Sequence, residues 1–339
     1  MTSGSAVRRS PIELLKLRAG FGKFWIVLCF KYIIQTAKNI IKTCINKNPY
    51  LTPSDQFLKA HLFRLIRGEV KMTSAGINGE GPGSQALMTM NAIAFARASG
   101  LEYVHTPFAE IANADRPMNE WVSAWESLFN FGVGERPANV FDHGVVDFAS
   151  NLGFSRINDL RSTYDKVGPE FIRKYLSNKL TTTNEILTVF VHIRRDDEVV
   201  HGHYMWTEPT TVSRTVALVS SILTSHGINH NIFAFSQGDP GDLADLIRLD
   251  VQLFLNADAV LMMQESIKAD VLIMAKSTFS YVAALLSDGI KIYEHCDYPP
   301  LSSWLVRDSD GGFVVCAFEN QLQLLIDRRS DGPARHDLT

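Results

Sequence analysis

The sequence predicts an α/β protein whose second half is a doubly wound parallel sheet, and three observations carry that reading. Short β-branched or aromatic runs at 186–192, 231–236, 250–255, 270–275 and 290–294 alternate with helix-length segments near 210–226, 240–248, 260–268 and 279–287. Such alternation gives parallel strands joined by right-handed crossovers. Polar turns follow several of these strands, at Arg194-Arg195-Asp196-Asp197, at Ser236-Gln237-Gly238-Asp239 and at Lys276-Ser277-Thr278-Phe279-Ser280. Open α/β sheets bind ligands outside the carboxyl ends of their strands, which is where these turns fall. Finally, 339 residues are enough for two compact units that share a cleft.

From the N-terminus, residues 1–50 read as a basic amphipathic helical arm. They hold nine Lys or Arg against Glu13 alone, a balance of +8, so the remainder of a chain of net charge −3 sums to −11. Positive charge confined to one arm argues against a nucleic-acid partner. The apolar run from Phe24 to Phe30 stops at Lys31, well short of the roughly 20 residues of a membrane span. No small-residue cleavage site follows it, so a signal peptide is not indicated either. Lys31, Gln35, Lys38 and Lys42 share one helical face, with Ile26, Phe30, Ile33, Ala37, Ile40 and Cys44 opposite. A cationic helix of this kind over residues 20–46 suits an anionic membrane surface. The same face would also serve a helix packed on the body of the protein.

Pro49 and Pro53 mark a linker, a helical patch follows at 54–67, and Gly76, Gly79, Gly81 and Gly83 make a glycine-rich loop. Its end, Gly81-Pro82-Gly83-Ser84-Gln85, feeds an alanine-rich helix over 86–98 with apolar residues at i, i+3 and i+4, which Gly100 ends. A strand follows at 101–105. Trp121, Trp125 and Phe129, four apart, read as a buried stripe on a helix rather than as a sugar platform. A glycine loop at a helix N-terminus lets a ligand approach the backbone, but it is not GxGxxG, so a nicotinamide or flavin gains little support.

Cys29, Cys44, Cys296 and Cys316 form no CxxC pair, and His201-Gly202-His203 lacks the i,i+4 spacing of a metalloprotease helix. The thiols read as scattered and reduced, and no metal site is predicted. Chemistry concentrates instead in two loops. The strand 186–191 ends in Val191-His192-Ile193-Arg194-Arg195-Asp196-Asp197, whose guanidiniums can grip phosphate oxygens in bidentate fashion. About 80 residues on, strand, hydroxyl loop and helix meet at Lys276-Ser277-Thr278-Phe279-Ser280, where Ser277 or Thr278 suits an N-cap and the helix N-terminus favours an anion. Alone, the first is also what a solvated charge run shows and the second what any capped helix shows. Together they suggest a clamp for a diphosphate.

Three segments resemble those of the fucosyltransferase-like glycosyltransferases, the group that includes the α1,6-fucosyltransferases and protein O-fucosyltransferases. Gly81-Pro82-Gly83-Ser84-Gln85 is similar to the group's Gly-x-Gly-Asn-Gln loop, with Ser84 where Asn is usual. Val191-His192-Ile193-Arg194-Arg195-Asp196 is similar to its His-x-Arg-Arg-x-Asp signature. Lys276-Ser277-Thr278-Phe279-Ser280 resembles its Ser-Ser/Thr-Phe phosphate loop. The likeness spans residues 74–295 in order.

What the resemblance implies is a GT-B-like architecture of two Rossmann-like domains facing a cleft: 51–180 on the acceptor side and 181–330 on the nucleotide-sugar side, with a disordered tail at 331–339. It implies an inverting, metal-independent glycosyltransferase with no cofactor, using a GDP-sugar, GDP-fucose in that group, as donor. The glycan acceptor would be a polysaccharide or lipid-linked chain, and the arm would hold a cytoplasmic enzyme at the inner face of the membrane. By position Arg195, with Arg194, neutralises the β-phosphate, while Ser277, Thr278, Phe279 and Ser280 bind the diphosphate. Gly83, Ser84, Gln85, His192, Ser236, Gln237 and Asp258 complete the donor site, Asp258 towards the nucleobase. The general base stays open among Asp196, Asp197, Glu198, His105 and Glu110. Two rivals stand beside this reading: a non-catalytic glycan or nucleotide-sugar binder on a transferase scaffold, and a P-loop-like or sulfotransferase-like enzyme. The chain has no GxxxxGK[ST], which counts against a P-loop.

Overall fold

A computed structural model describes residues 70–330 apart from 76–78, 140, 141, 143, 149–160, 162, 163, 166, 169, 173, 175–185, 196–198, 201, 202, 205–207 and 297. The basic arm, the 54–67 patch and the tail lie outside the described residues. The described residues belong to one compact unit, which holds the two larger sheets.

The first sheet has four parallel strands in the order β3-β2-β1-β4: β1 (Lys71–Thr73), β2 (Glu102–His105), β3 (Arg136–Pro137) and β4 (Val145–Asp147). Helix α1 (Pro82–Ala98) joins β1 to β2, and α2 (Met118–Phe129) lies between β2 and β3. Proline at the start of α1 needs no amide partner there, and Leu101 closes the other end by donating to the Ala96 carbonyl at 2.8 Å. The i, i+3, i+4 spacing predicts one apolar face, yet α1 is buried almost all round. It packs on β1 and β2 and also against a helix of the second half, so it has little wet side left. The Trp121, Trp125 and Phe129 stripe is core: the two indoles meet edge to face at 5.4 Å, and Trp125 stacks on Phe129 at 5.4 Å.

The second sheet has six parallel strands in the order β12-β11-β10-β5-β8-β9. They are β5 (Leu187–His192), β8 (His230–Ser236), β9 (Gln252–Leu255), β10 (Val271–Ile273), β11 (Ile290–Tyr293) and β12 (Leu305–Val306). A two-stranded ribbon, β6 (Val199–Val200) with β7 (His203–Tyr204), stands apart. The crossovers are α3 (Pro209–Ser225), α4 (Ala244–Arg248) after a short 3₁₀ turn, α5 (Ala259–Lys268) and α6 (Thr278–Leu286), and α7 (Val315–Ser330) ends the unit. Alternation along each strand sorts the two faces. Val189, Val191 and Ile193 join Val212, Val216 and Val219 of α3 and Phe318 and Leu322 of α7 in one core, while Phe190 and His192 point to the other face. Burying some twenty such side chains, each contributing about 1.5–3 kcal/mol, is what offsets the entropy of ordering this half.

The chain runs β5, β8, β9 outward and then returns to add β10, β11 and β12 on the other side of β5. That reversal leaves a crevice between β5 and β10 at their carboxyl ends, where open α/β sheets bind ligands. The α/β fold with parallel sheets is therefore present in both halves.

Candidate functional site

Two helices that each follow the carboxyl end of a strand meet here. α1 leaves the carboxyl side of β1, α6 leaves that of β10, and their N-termini touch. A Cβ placed on Gly83 would lie 2.6 Å from the Phe279 backbone nitrogen and 2.9 Å from the Thr278 carbonyl carbon, a distance no real side chain keeps. Glycine is what allows this approach. Alongside it, the hydroxyls of Ser84 and Thr278 lie 3.3 Å apart. The carboxyl edges of the two sheets thus face each other, with the positive ends of two helix dipoles converging on one junction. α1 has no side-chain cap, whereas in α6 the Ser277 hydroxyl accepts from the Phe279 amide at 3.1 Å.

Beside the junction, His192 closes β5. Its ring stacks on Phe235 at 5.5 Å, leans on Phe279 at 5.2 Å, and its Nδ1 lies 2.5 Å from the Ser280 hydroxyl. Ser280 in turn accepts from the Ala275 amide at 3.1 Å, so one serine ties the end of β5 to the end of β10. Burial, and then the Arg194 charge, push the His192 imidazole down to about 3. It is neutral at pH 7 and fixes geometry rather than supplying charge.

Arg195 reaches over the next turn. Its Nη1 donates to the Gln237 carbonyl at 3.0 Å and the Asp239 carbonyl at 2.6 Å, bracketing Gly238, where φ is +81° and a Cβ would lie 3.3 Å from Nη1. Ser236, buried beneath, donates to the Ile193 carbonyl at 3.0 Å. Arg194 and Arg195 are both half-buried beside the β5 end.

The remaining expected residues fall into two groups. Gln85 is buried, and its amide donates to the Glu80 carbonyl at 3.2 Å and to the Glu110 carbonyl, so it pins the glycine loop to the 106–117 loop. The Ala112 amide adds to that pin by donating to Glu80 at 3.0 Å. Asp258 caps α5, accepting from the Leu261 amide at 2.9 Å, and also pairs with Arg116 across the halves. Burial would raise its carboxyl, but the α5 amides and the Arg116 guanidinium outweigh that and hold it below the usual range. Asp196, Asp197 and Glu198 lie outside the described residues.

Of the other base candidates, His105 is buried with both nitrogens engaged, Nε2 at 3.0 Å from Glu126 and Nδ1 at 3.2 Å from Tyr103. Glu110 is exposed on the pinned loop.

Two features lie outside the motifs of the sequence. Arg116, from an irregular loop, reaches Asp258 and lies over Trp121 at 5.1 Å. Nothing in its local sequence signals that reach. Glu294 follows β11 as Arg194 follows β5, so its place at a strand end is a signal that was there to be read. A surface groove of about 450 Å³, lined by Asp288, Ile290, Gln321 and Arg328, lies at the opposite, N-terminal end of β11. Its residues belong to none of the loops at the crevice. Among the described residues no three His, Cys, Asp or Glu cluster as a metal site would need, and no helix is long and apolar enough to cross a membrane.

No family model matches the chain, and no curated protein sequence matches it. Solved structures similar to it include the following three. The E. coli heptosyltransferase WaaC with ADP-2-deoxy-2-fluoro heptose is 15% identical with a TM-score of 0.33, covering 76% of this chain and 99% of that one. A UDP-forming α,α-trehalose-phosphate synthase from Burkholderia xenovorans is 13% identical, TM-score 0.31, over 50% of this chain. The chain spans 44% of that synthase's length. POFUT1 in complex with GDP-fucose is 12% identical, TM-score 0.24, covering 66% of this chain and 70% of that one.

Proposed function

We propose that this chain is a glycosyltransferase that takes a sugar from a nucleoside diphosphate, with GDP-fucose as the donor, and passes it with inversion to a polysaccharide or lipid-linked glycan. The observation that carries this reading is the junction at Gly83, Ser84, Thr278 and Phe279, set at the crevice between β5 and β10. A site built this way turns the positive ends of two helices and the Arg194 and Arg195 guanidiniums towards a single pyrophosphate.

In the reaction, an acceptor hydroxyl attacks the anomeric carbon as the bond from that carbon to the β-phosphate oxygen breaks. Charge developing on the departing diphosphate falls on Arg195, Arg194 and the α6 N-terminus, so no metal is required to stabilise it. The hydroxyl proton passes to a carboxylate, for which Asp196, Asp197, Glu198 and Glu110 remain the candidates. His105 drops out, since its ring nitrogens are taken by Glu126 and Tyr103. The basic arm at 20–46 would hold the enzyme on the inner face of an anionic membrane.

The test is release of GDP from GDP-fucose by the wild type and by Arg195→Ala, with GDP binding measured in parallel. We expect turnover in the wild type and its loss by at least about a hundredfold in the variant, the scale of a missing oxyanion donor. An equally active variant rejects the assignment. GDP binding with no turnover in the wild type points instead to a sugar-nucleotide binder on a transferase scaffold, a reading favoured by the satisfied hydroxyls of Ser236, Ser277 and Ser280.

A further inference from the structure

We infer that Lys276 is a diphosphate-binding cation of the donor site, and that Glu294 restrains it until the diphosphate binds. The inference rests on the donor-site reading above. Three charged residues leave the carboxyl ends of three adjacent parallel strands: Lys276 just beyond β10, Glu294 directly after β11 and Arg307 directly after β12. Glu294 is shared between the two cations, its Oε2 2.5 Å from Arg307 and its Oε1 3.5 Å from Lys276.

The two partners differ in kind. The Arg307 side chain is 1% exposed and also lies 3.5 Å from the Thr215 hydroxyl, so it is a fixed, buried charge. Burial lowers its affinity for the proton, which the Glu294 carboxylate opposes. A buried guanidinium of this sort needs its carboxylate, so Glu294 cannot leave it. The Lys276 side chain is 31% exposed, and its contact with Glu294 is the longer one. Asp308 adds a second negative charge near the buried Arg307, so that guanidinium does not depend on Lys276, and the exposed, flexible ammonium is the partner able to turn towards a ligand.

Lys276 also immediately precedes Ser277, the N-cap of α6. A diphosphate at that helix end therefore sits within reach of a mobile ammonium that Glu294 now holds over the neighbouring strand. On binding, the ammonium exchanges the distant carboxylate for a phosphate oxygen, a shorter charge-assisted contact.

The experiment is calorimetric titration of the full chain with GDP and with inorganic pyrophosphate. Lys276→Met is expected to weaken both about tenfold, the scale of one lost charge-assisted bond, and to flatten the fall of affinity with salt, while the melting temperature stays near that of the wild type. Glu294→Gln removes the restraint, so it is expected to bind both ligands more tightly although it melts lower, because Arg307 is left without its carboxylate. A residue of merely structural importance could not give tighter binding from a less stable protein.

Unchanged affinity in Lys276→Met, with a wild type that binds GDP, overturns the inference and leaves the donor site standing. Weaker or equal binding in Glu294→Gln overturns the restraining role. Failure of the wild type to bind either ligand removes the donor-site reading itself.

Discussion

Replacing Gly83 by alanine adds one methyl group where the two halves of the unit meet, and its consequences follow from the distances. The new carbon would lie 2.6 Å from the Phe279 nitrogen and 2.9 Å from both the Phe279 Cα and the Thr278 carbonyl carbon. All three are backbone atoms at the start of a capped helix, so no side chain can rotate out of the way. An ordinary contact needs nearly 1 Å more, and α1 and α6 must part by about that much. Overpacking of this kind costs about 1–3 kcal/mol, against a gain of up to about 1 kcal/mol from replacing a helical glycine. We expect a net loss of about 1–2 kcal/mol in urea unfolding, and a melting temperature lower by a few degrees for a unit of this size. Displacing a phosphate-binding helix end by about 1 Å should also reduce turnover of the sugar nucleotide by about a hundredfold. Gly81→Ala is the control. Its nearest atom is the Asn113 side-chain amide at 4.0 Å, and its backbone already suits alanine, so stability should change by less than about 1 kcal/mol. If Gly83→Ala melts and binds like Gly81→Ala, the two helix ends do not meet as described.

Further expectations come from the neighbouring contacts. His192 is held neutral while an unfolded histidine protonates near 6.5, so the unfolded state binds the extra proton; stability should therefore fall as pH drops from about 6.5 towards 3, by up to about 5 kcal/mol at about 1.4 kcal/mol per tenfold change in proton concentration. A His192→Gln variant should lose most of that slope in acid-unfolding measurements, and an unchanged slope would show that other groups carry it. In a double-mutant cycle, Ser84→Ala with Thr278→Val should show coupling of about 0.5–1.5 kcal/mol for the hydroxyl pair; strict additivity would mean that the contact contributes nothing. Arg116→Ala should lower the melting temperature only slightly, because both members of the Asp258 pair are reached by solvent. Since the Asp258 carboxyl is held low, that small contribution should persist at neutral pH and disappear only as the medium becomes strongly acidic.

Much of the second half was legible from hydrophobic runs and turn residues. The strand at 186–192 is found at 187–192 and the helix near 279–287 at 278–286, because β-branched runs and the Ser277 cap mark them locally. Strand order is not local, yet the alternation of strands and helices was enough to predict parallel pairing. The first half was harder. β1, β3 and β4 have only two or three residues each, too short for any period to show. In the second half α7 is the exception, since exposed apolar residues such as Leu324 blur its pattern. At the site, the residue types were legible but their partners were not. Gln85 reads as a ligand-binding amide, and only packing reveals that two backbone carbonyls occupy it. Arg195 reads as a phosphate clamp, and the structure shows it also holding the turn at Gly238. Arg116 meets Asp258 across 142 residues of chain, a pairing that no spacing rule contains.

Everything functional turns on whether a nucleoside diphosphate binds at the β5–β10 crevice. Thermal unfolding of the full chain with GDP, UDP, CMP and ADP sugars asks this directly, since a ligand stabilises the state it binds by about 2.7 kcal/mol at a hundredfold excess over Kd. The account predicts a rise of several degrees with GDP-fucose and GDP, lost in Arg195→Ala and reduced in Gly83→Ala. No rise with any of these nucleotides, or a rise that Arg195→Ala and Gly83→Ala leave intact, would contradict it.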